Sequence, residues 1–375
     1  MKLRCFCTLI LTISMLHIAS AVEVYNKNGS TLELFGSFNG GHYLSPDENK
    51  KGDRSFLRYG LIGKTCLSDT VVGFGMWEDE VNFQYIEGNN NIKDNFVRLG
   101  YAGVQYGIFG TIDYGRNYGL LYDVGAWTDV MPEFGGDTSL VDNFLSSRAS
   151  NVVTYRNANF FGLVNGLDFA VQYQGKNDES QTSGRTVKEA NGIGYGVSAS
   201  YSFDNGVSTA AAYTNNNRTV GQKTLVNAAD NYSGNDKVEA YSIGLKYDNN
   251  NIYLAALYGE VKNMIPFGVF EDSFNTDRVY GFVDKAKNVE LVAQYCFDFG
   301  LRPSIGYLHS KASDMINGYD CYLKKYIEVG SIYNVHKNIS TTMDYRINLL
   351  KKNDFTNAAQ ISTDNIFAFG MVYTF

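Results

Sequence analysis

Beyond its first residues this chain has no apolar stretch long enough to cross a bilayer as a helix, which takes about 20 residues. A helical membrane protein is thereby excluded. Positive charge is also short. Lys and Arg number 32 against 39 Asp and Glu, for a net charge of −7. A nucleic-acid partner wants clustered positive charge, so none is expected. Histidine is scarce. His42, His309 and His336 are scattered, with no carboxylate or thiol at ligand spacing. An enzyme would need a nucleophile with a base beside it, and no such constellation is written here. Cysteine is scarce too: Cys66, Cys296 and Cys321 lie beyond Cys5 and Cys7, an odd set that cannot pair fully. No CxxC pair remains among them, so no cofactor or metal is expected. Proline is down to 4 residues, and Pro303 falls near a strand start, where a ladder bond is dispensable.

Aromatic residues are abundant, at 14%, with 38 glycines. The tail shows how they are used. Phe367, Phe369, Met371, Tyr373 and Phe375 fall on one side of an extended strand; Ile366, Ala368, Gly370, Val372 and Thr374 fall on the other. The same alternation runs through Tyr241, Ile243, Leu245 and Tyr247 against Ala240, Ser242, Gly244 and Lys246. It recurs in Leu291, Ala293 and Tyr295 against Glu290, Val292 and Gln294, and in Leu301, Pro303, Ile305 and Tyr307 against Arg302, Ser304 and Gly306. A bulky face opposite a small or polar face suits a sheet with lipid outside and water inside.

The first residues read as a secretory signal. Lys2 and Arg4 open it, Cys5 to Ile18 is mostly apolar, and Ala19-Ser20-Ala21 is a small-residue cleavage site. Residues 1–21 are thus expected to be a leader, and 22–375 one β domain. Strand starts fall near Leu32, Ser55, Val71, Asn95, Gly107, Asn151, Leu167, Gly194, Val207, Val238, Asn251, Val289, Leu301, Cys321, Ser340 and Asn365. Tight links such as Asp204-Asn205-Gly206 alternate with long polar stretches such as 178–191 and 216–236. The fold class expected is all-β: a 16-stranded antiparallel transmembrane β-barrel, closed because every backbone group in hydrocarbon needs a partner. Gly192-Ile-Gly194-Tyr-Gly196 opens no helix and is not a phosphate loop.

One segment breaks the repeat. Residues 117–147 are too long and too apolar for a plain exposed loop, with Leu120, Leu121, Val124, Trp127, Met131 and Phe134 in need of a packing surface. Folding into the barrel supplies one and narrows the channel. The segment carries Asp123, Asp129, Glu133, Asp137 and Asp142 and no Lys or Arg. Arg58, Arg98 and Arg148 lie on neighbouring strands. Arg58 alternates with Leu57, Tyr59 and Leu61, and Arg98 with Val97, Leu99 and Tyr101, so both arginines should point inward with those apolar neighbours outward. Facing rings of charge are a recognised way to set pore selectivity.

At this point the chain resembles the trimeric general diffusion porins of the Gram-negative outer membrane. The likeness rests on Glu23-Val-Tyr-Asn-Lys27, Asp113-Tyr-Gly-Arg-Asn-Tyr-Gly119, Pro132-Glu-Phe-Gly-Gly-Asp137, Thr154-Tyr-Arg-Asn-Ala-Asn-Phe-Phe-Gly-Leu163, Asp298-Phe-Gly-Leu-Arg-Pro-Ser304 and the final Phe375. The resemblance implies a homotrimer in outer-membrane lipid and lipopolysaccharide, with an inward-folded third loop and one pore per subunit passing small hydrophilic solutes and ions. It implies a pore constriction with Asp129 and Glu133 on the acidic side and Arg58, Arg98 and Arg148 on the basic side. It also implies that the second loop, with Glu87, reaches a neighbouring subunit. Ser37 and Phe96 stand where many or some members carry lysine. Both departures remove positive charge, so a cation preference is expected. A sugar-specific pore would want a file of aromatics inside, whereas most here have outward parity. A receptor or adhesin role for the outer loops finds no positive support in their composition.

Overall fold

The computed structural model describes residues 21–85, 95–225, 236–270, 279–315 and 319–375. Residues 1–20 of the leader expected over 1–21, and Glu87, lie outside the described residues. Sixteen long strands form the wall: β1 Ser30–Leu44, β2 Phe56–Cys66, β3 Val71–Asn82, β4 Asn95–Tyr106, β5 Thr111–Tyr118, β6 Arg148–Asn157, β7 Leu167–Gln174, β8 Gly194–Ser202, β9 Val207–Asn217, β10 Lys237–Asn249, β11 Ile252–Lys262, β12 Lys285–Tyr295, β13 Leu301–Met315, β14 Tyr319–His336, β15 Ile339–Asn348 and β16 Ile366–Thr374. Each pairs antiparallel with the next. β1 pairs with β16 from Ser37↔Thr374 to Leu44↔Phe367, and the sheet closes. Two short segments, Val22–Lys27 and Gly52–Asp53, pair with β1 as well.

Val22–Lys27 and β16 lie end to end against the same strand. Leu34 pairs with Val22, while Gly36 exchanges both backbone hydrogen bonds with Phe375, at 3.1 and 3.0 Å. One end of the barrel has tight turns. Asn28-Gly29 and Asn250-Asn251 take positive φ at both positions, the conformation of a two-residue hairpin turn that matches strand twist. The other end has long loops. Gly194–Ser202, with its glycines, is a wall strand.

The bulky parity faces out. Ile243, Leu245, Leu291, Ile305, Phe369, Met371 and Tyr373 are exposed, whereas Ala240, Ser242, Glu290, Gln294, Ser304 and Ala368 are buried on the inner side. Near the turn end aromatics meet in pairs: Tyr106 stacks on Phe109 at 5.3 Å, Tyr201 meets Phe203 edge-on at 4.7 Å and Phe297 lies tilted against Phe299 at 5.2 Å. Rings at this height form the aromatic girdle at a lipid–water boundary.

Among the described residues, one register shift bears on the site. On β4, Glu78 pairs with Leu99 but Asp79 pairs with Val97, so Arg98 is an extra, bulged residue. Beyond the bulge every side chain changes face. Leu99 and Tyr101, expected outside, pack inside against Phe35, Ile62 and Met76. Arg98 still points inward. The larger apolar cluster also lies inside the barrel, where Leu121, Val124 and Phe144 of the 117–147 segment meet alanines and valines of β9 to β13.

Candidate functional site

The third loop leaves β5 at Tyr118 and returns to β6 at Arg148. Its two ends are zipped by backbone bonds Gly119 N→Ser147 O (2.8 Å) and Leu121 N→Leu145 O (3.3 Å). Gly119 must be glycine, since a Cβ there would stand 2.3 Å from the Leu145 carbonyl oxygen. After one helical turn, Tyr122–Gly125, the loop crosses the interior to the far wall. There the wall holds its backbone. Asp344 on β15 accepts from the Glu133 and Phe134 amides at 3.1 Å each. Glu290 on β12 accepts from the Thr128 and Thr138 hydroxyls and the Thr138 amide. Gln294 donates to Val130 O (2.6 Å) and Tyr253 to Trp127 O (2.6 Å). The inward-folded loop is therefore a hydrogen-bonded part of the barrel interior.

The five loop acids divide by partner. Asp123 takes a two-pronged bond from Arg156, 2.9 Å on each oxygen. Asp142 takes the same from Arg116 at 2.6 and 2.9 Å. Asp137 receives Tyr326 at 2.9 Å and pairs with Arg346 at 3.0 Å. Burial alone would raise Asp137, but Lys324 and Arg346 outweigh it and hold the carboxyl below its ordinary value. Asp129 and Glu133 have hydroxyl partners instead: Tyr122 donates to Asp129 at 2.7 Å and Tyr43 to Glu133. Neither has an ion pair among the described residues. Burial pushes both above the usual carboxylate range. Arg148 and Arg98 oppose the rise at Asp129, and Arg58 opposes it at Glu133. These are the three arginines singled out above, and the two acids feel their charge.

Sequence reasoning missed the acids on the basic side. Arg58 donates to Glu80 through Nε (3.1 Å) and NH2 (2.8 Å). Arg98 donates to Glu78 at 2.6 Å and to Glu80 at 3.1 Å. Arg148 pairs in register with Tyr118 at the loop's root. Ser37 lies directly opposite Arg58, and Phe96 opposite Glu80, so both departures from lysine are inward positions. Between the loop and the turn end, a cavity of about 1280 Å³ opens, bordered by Tyr122, Asp123 and Trp127 above and Asp69, Ile108 and Asn157 below.

A family model described as Gram-negative porin matches residues 27–375. Outer membrane porin C of Salmonella typhimurium is 47% identical over 383 residues, covering 100% of both chains. Outer membrane protein F of Serratia marcescens is 48% identical over 364 residues, covering 95% of each. Among solved structures, Salmonella typhi OmpF, in complex with daunomycin, superposes with a TM-score of 0.84 at 39% identity, covering 94% of this chain and 100% of that one.

Proposed function

This chain belongs to the Gram-negative porin family, and from that premise we propose that its pore prefers cations. It is an outer-membrane β-barrel, not an enzyme, and a channel for passive diffusion. Asp129, Glu133, Arg58, Arg98 and Arg148 form the pore constriction and set its selectivity. The observation that carries the reading is the division of the loop acids: Asp123, Asp137 and Asp142 are held by cations, whereas Asp129 and Glu133 are left to act on the lumen. With Glu78 and Glu80 counted, three guanidinium charges stand against four carboxylates. The acids across the lumen from the arginines make a transverse field. Such a field orients dipolar solutes and disfavours apolar ones, because ordered water is costly to displace. The working unit is a homotrimer in lipid and lipopolysaccharide, passing small hydrophilic solutes and ions. Single-channel recording in planar bilayers tests this. The expected result is three equal closing steps per insertion, and a reversal potential of cationic sign in a KCl gradient. An anionic sign defeats the proposal.

A further inference from the structure

Glu80 sits between two arginines that arrive from different strands. β3 runs between β2 and β4; Arg58 comes from one side and Arg98 from the other. One carboxylate oxygen, Glu80 Oε2, accepts from Arg58 Nε and NH2 and from Arg98 NH1, at 3.1, 2.8 and 3.1 Å. Arg98, the bulged residue of β4, points inward and reaches both Glu78 and Glu80. Glu80 and Arg98 are both more than nine-tenths buried. Two like charges brought this close repel unless an anion bridges them. Arg58 also lies over the Phe56 ring, at 5.2 Å.

We infer that Glu80 is a selectivity-determining residue, a bridge that joins Arg58 to Arg98 and removes one unit of positive charge from the basic wall. This rests on the cation-preferring reading of the same pore and says what weakens its basic side. Among the described residues Glu78 forms an ion pair with Arg98 only, whereas Glu80 is the carboxylate that both arginines share. Without it, Arg58 keeps its charge but loses its ion-pair partner, and the wall opposite Asp129 and Glu133 becomes more positive.

The test is the reversal potential in a KCl gradient for wild type, E80Q, R58Q and R58Q/E80Q. The E80Q change keeps an acceptor oxygen for the guanidinium groups, so a purely structural role would leave the permeability ratio unmoved. E80Q should lower the K⁺/Cl⁻ ratio roughly two- to five-fold, the scale for one unit charge several ångströms from an ion in water-rich surroundings. R58Q should raise it, and the double variant should return to the wild-type value. An unshifted E80Q, or a double variant shifted as far as R58Q alone, overturns the inference. If E80Q forms no channels, comparing R58Q with R58Q/E80Q reads the same charge step. If neither E80Q nor R58Q/E80Q forms channels, the role is structural and the inference falls. A wild-type ratio below one refutes the cation-preferring reading, yet leaves the step from wild type to E80Q readable.

Discussion

Asp129 and Glu133 are raised by burial, and their position decides how the pore should respond to acid. A raised carboxyl takes its proton at higher pH than an exposed one. As pH falls, these two therefore neutralise before Asp137, which Lys324 and Arg346 hold low. The K⁺/Cl⁻ ratio should fall on acidification, beginning above the exposed-carboxylate range of about pH 4. Reversal potentials recorded through that range check this; a flat ratio down to the ordinary carboxylate range speaks against it. The run of five acids without Lys or Arg in 117–147 was legible in the sequence, whereas Asp129 and Glu133 were singled out among them only by the family resemblance. Glu78 and Glu80 were legible in principle. The β2–β3 turn pairs Cys66 with Val72, and counting back along the hairpin brings Glu80 opposite Arg58. What hid them was the Asp79 between them, which makes Glu78-Asp79-Glu80 look like one exposed acidic patch.

The third loop is fixed by points that the sequence does not advertise. Gly136 has φ +59, and a Cβ there would lie 2.4 Å from Asp129 Cγ. Gly136→Ala should displace the Asp129 carboxylate and lower cation preference, with little change in strand content by circular dichroism. Asp344 holds two loop amides at once. Bonds to a charged acceptor are worth roughly 1.5–3 kcal/mol each, so Asp344→Ala should loosen the Glu133 end and give noisier open-channel current. A quiet trace of wild-type conductance would show that the remaining anchors suffice. At this scale the strand alternation was readable because one face meets lipid and the other water, so composition marks parity. The bulge at Arg98 was not readable: its cause is the pairing of Glu78 and Asp79 across the sheet, which a single strand does not reveal. Leu99 and Tyr101 were misplaced for that reason alone.

For the whole molecule the governing requirement is closure. Phe375 makes both backbone bonds to Gly36, and its ring lies 5.9 Å from Phe38, at the seam where Val22–Lys27 continues the line of β16. Phe375→Ala should cost roughly 1–3 kcal/mol of barrel stability, read as a lower urea midpoint in lipid vesicles. Sixteen strands, their order and the inward loop could be foreseen because a membrane admits few ways to satisfy a backbone. Which loop acids lack a cation could not be, since that depends on side chains from strands far apart in sequence. The cation preference stands or falls with that division. The measurement that meets it directly is the reversal potential of D129N/E133Q against wild type in a KCl gradient at neutral pH. A drop of the K⁺/Cl⁻ ratio to near or below one is the predicted result, and a ratio equal to wild type would contradict it.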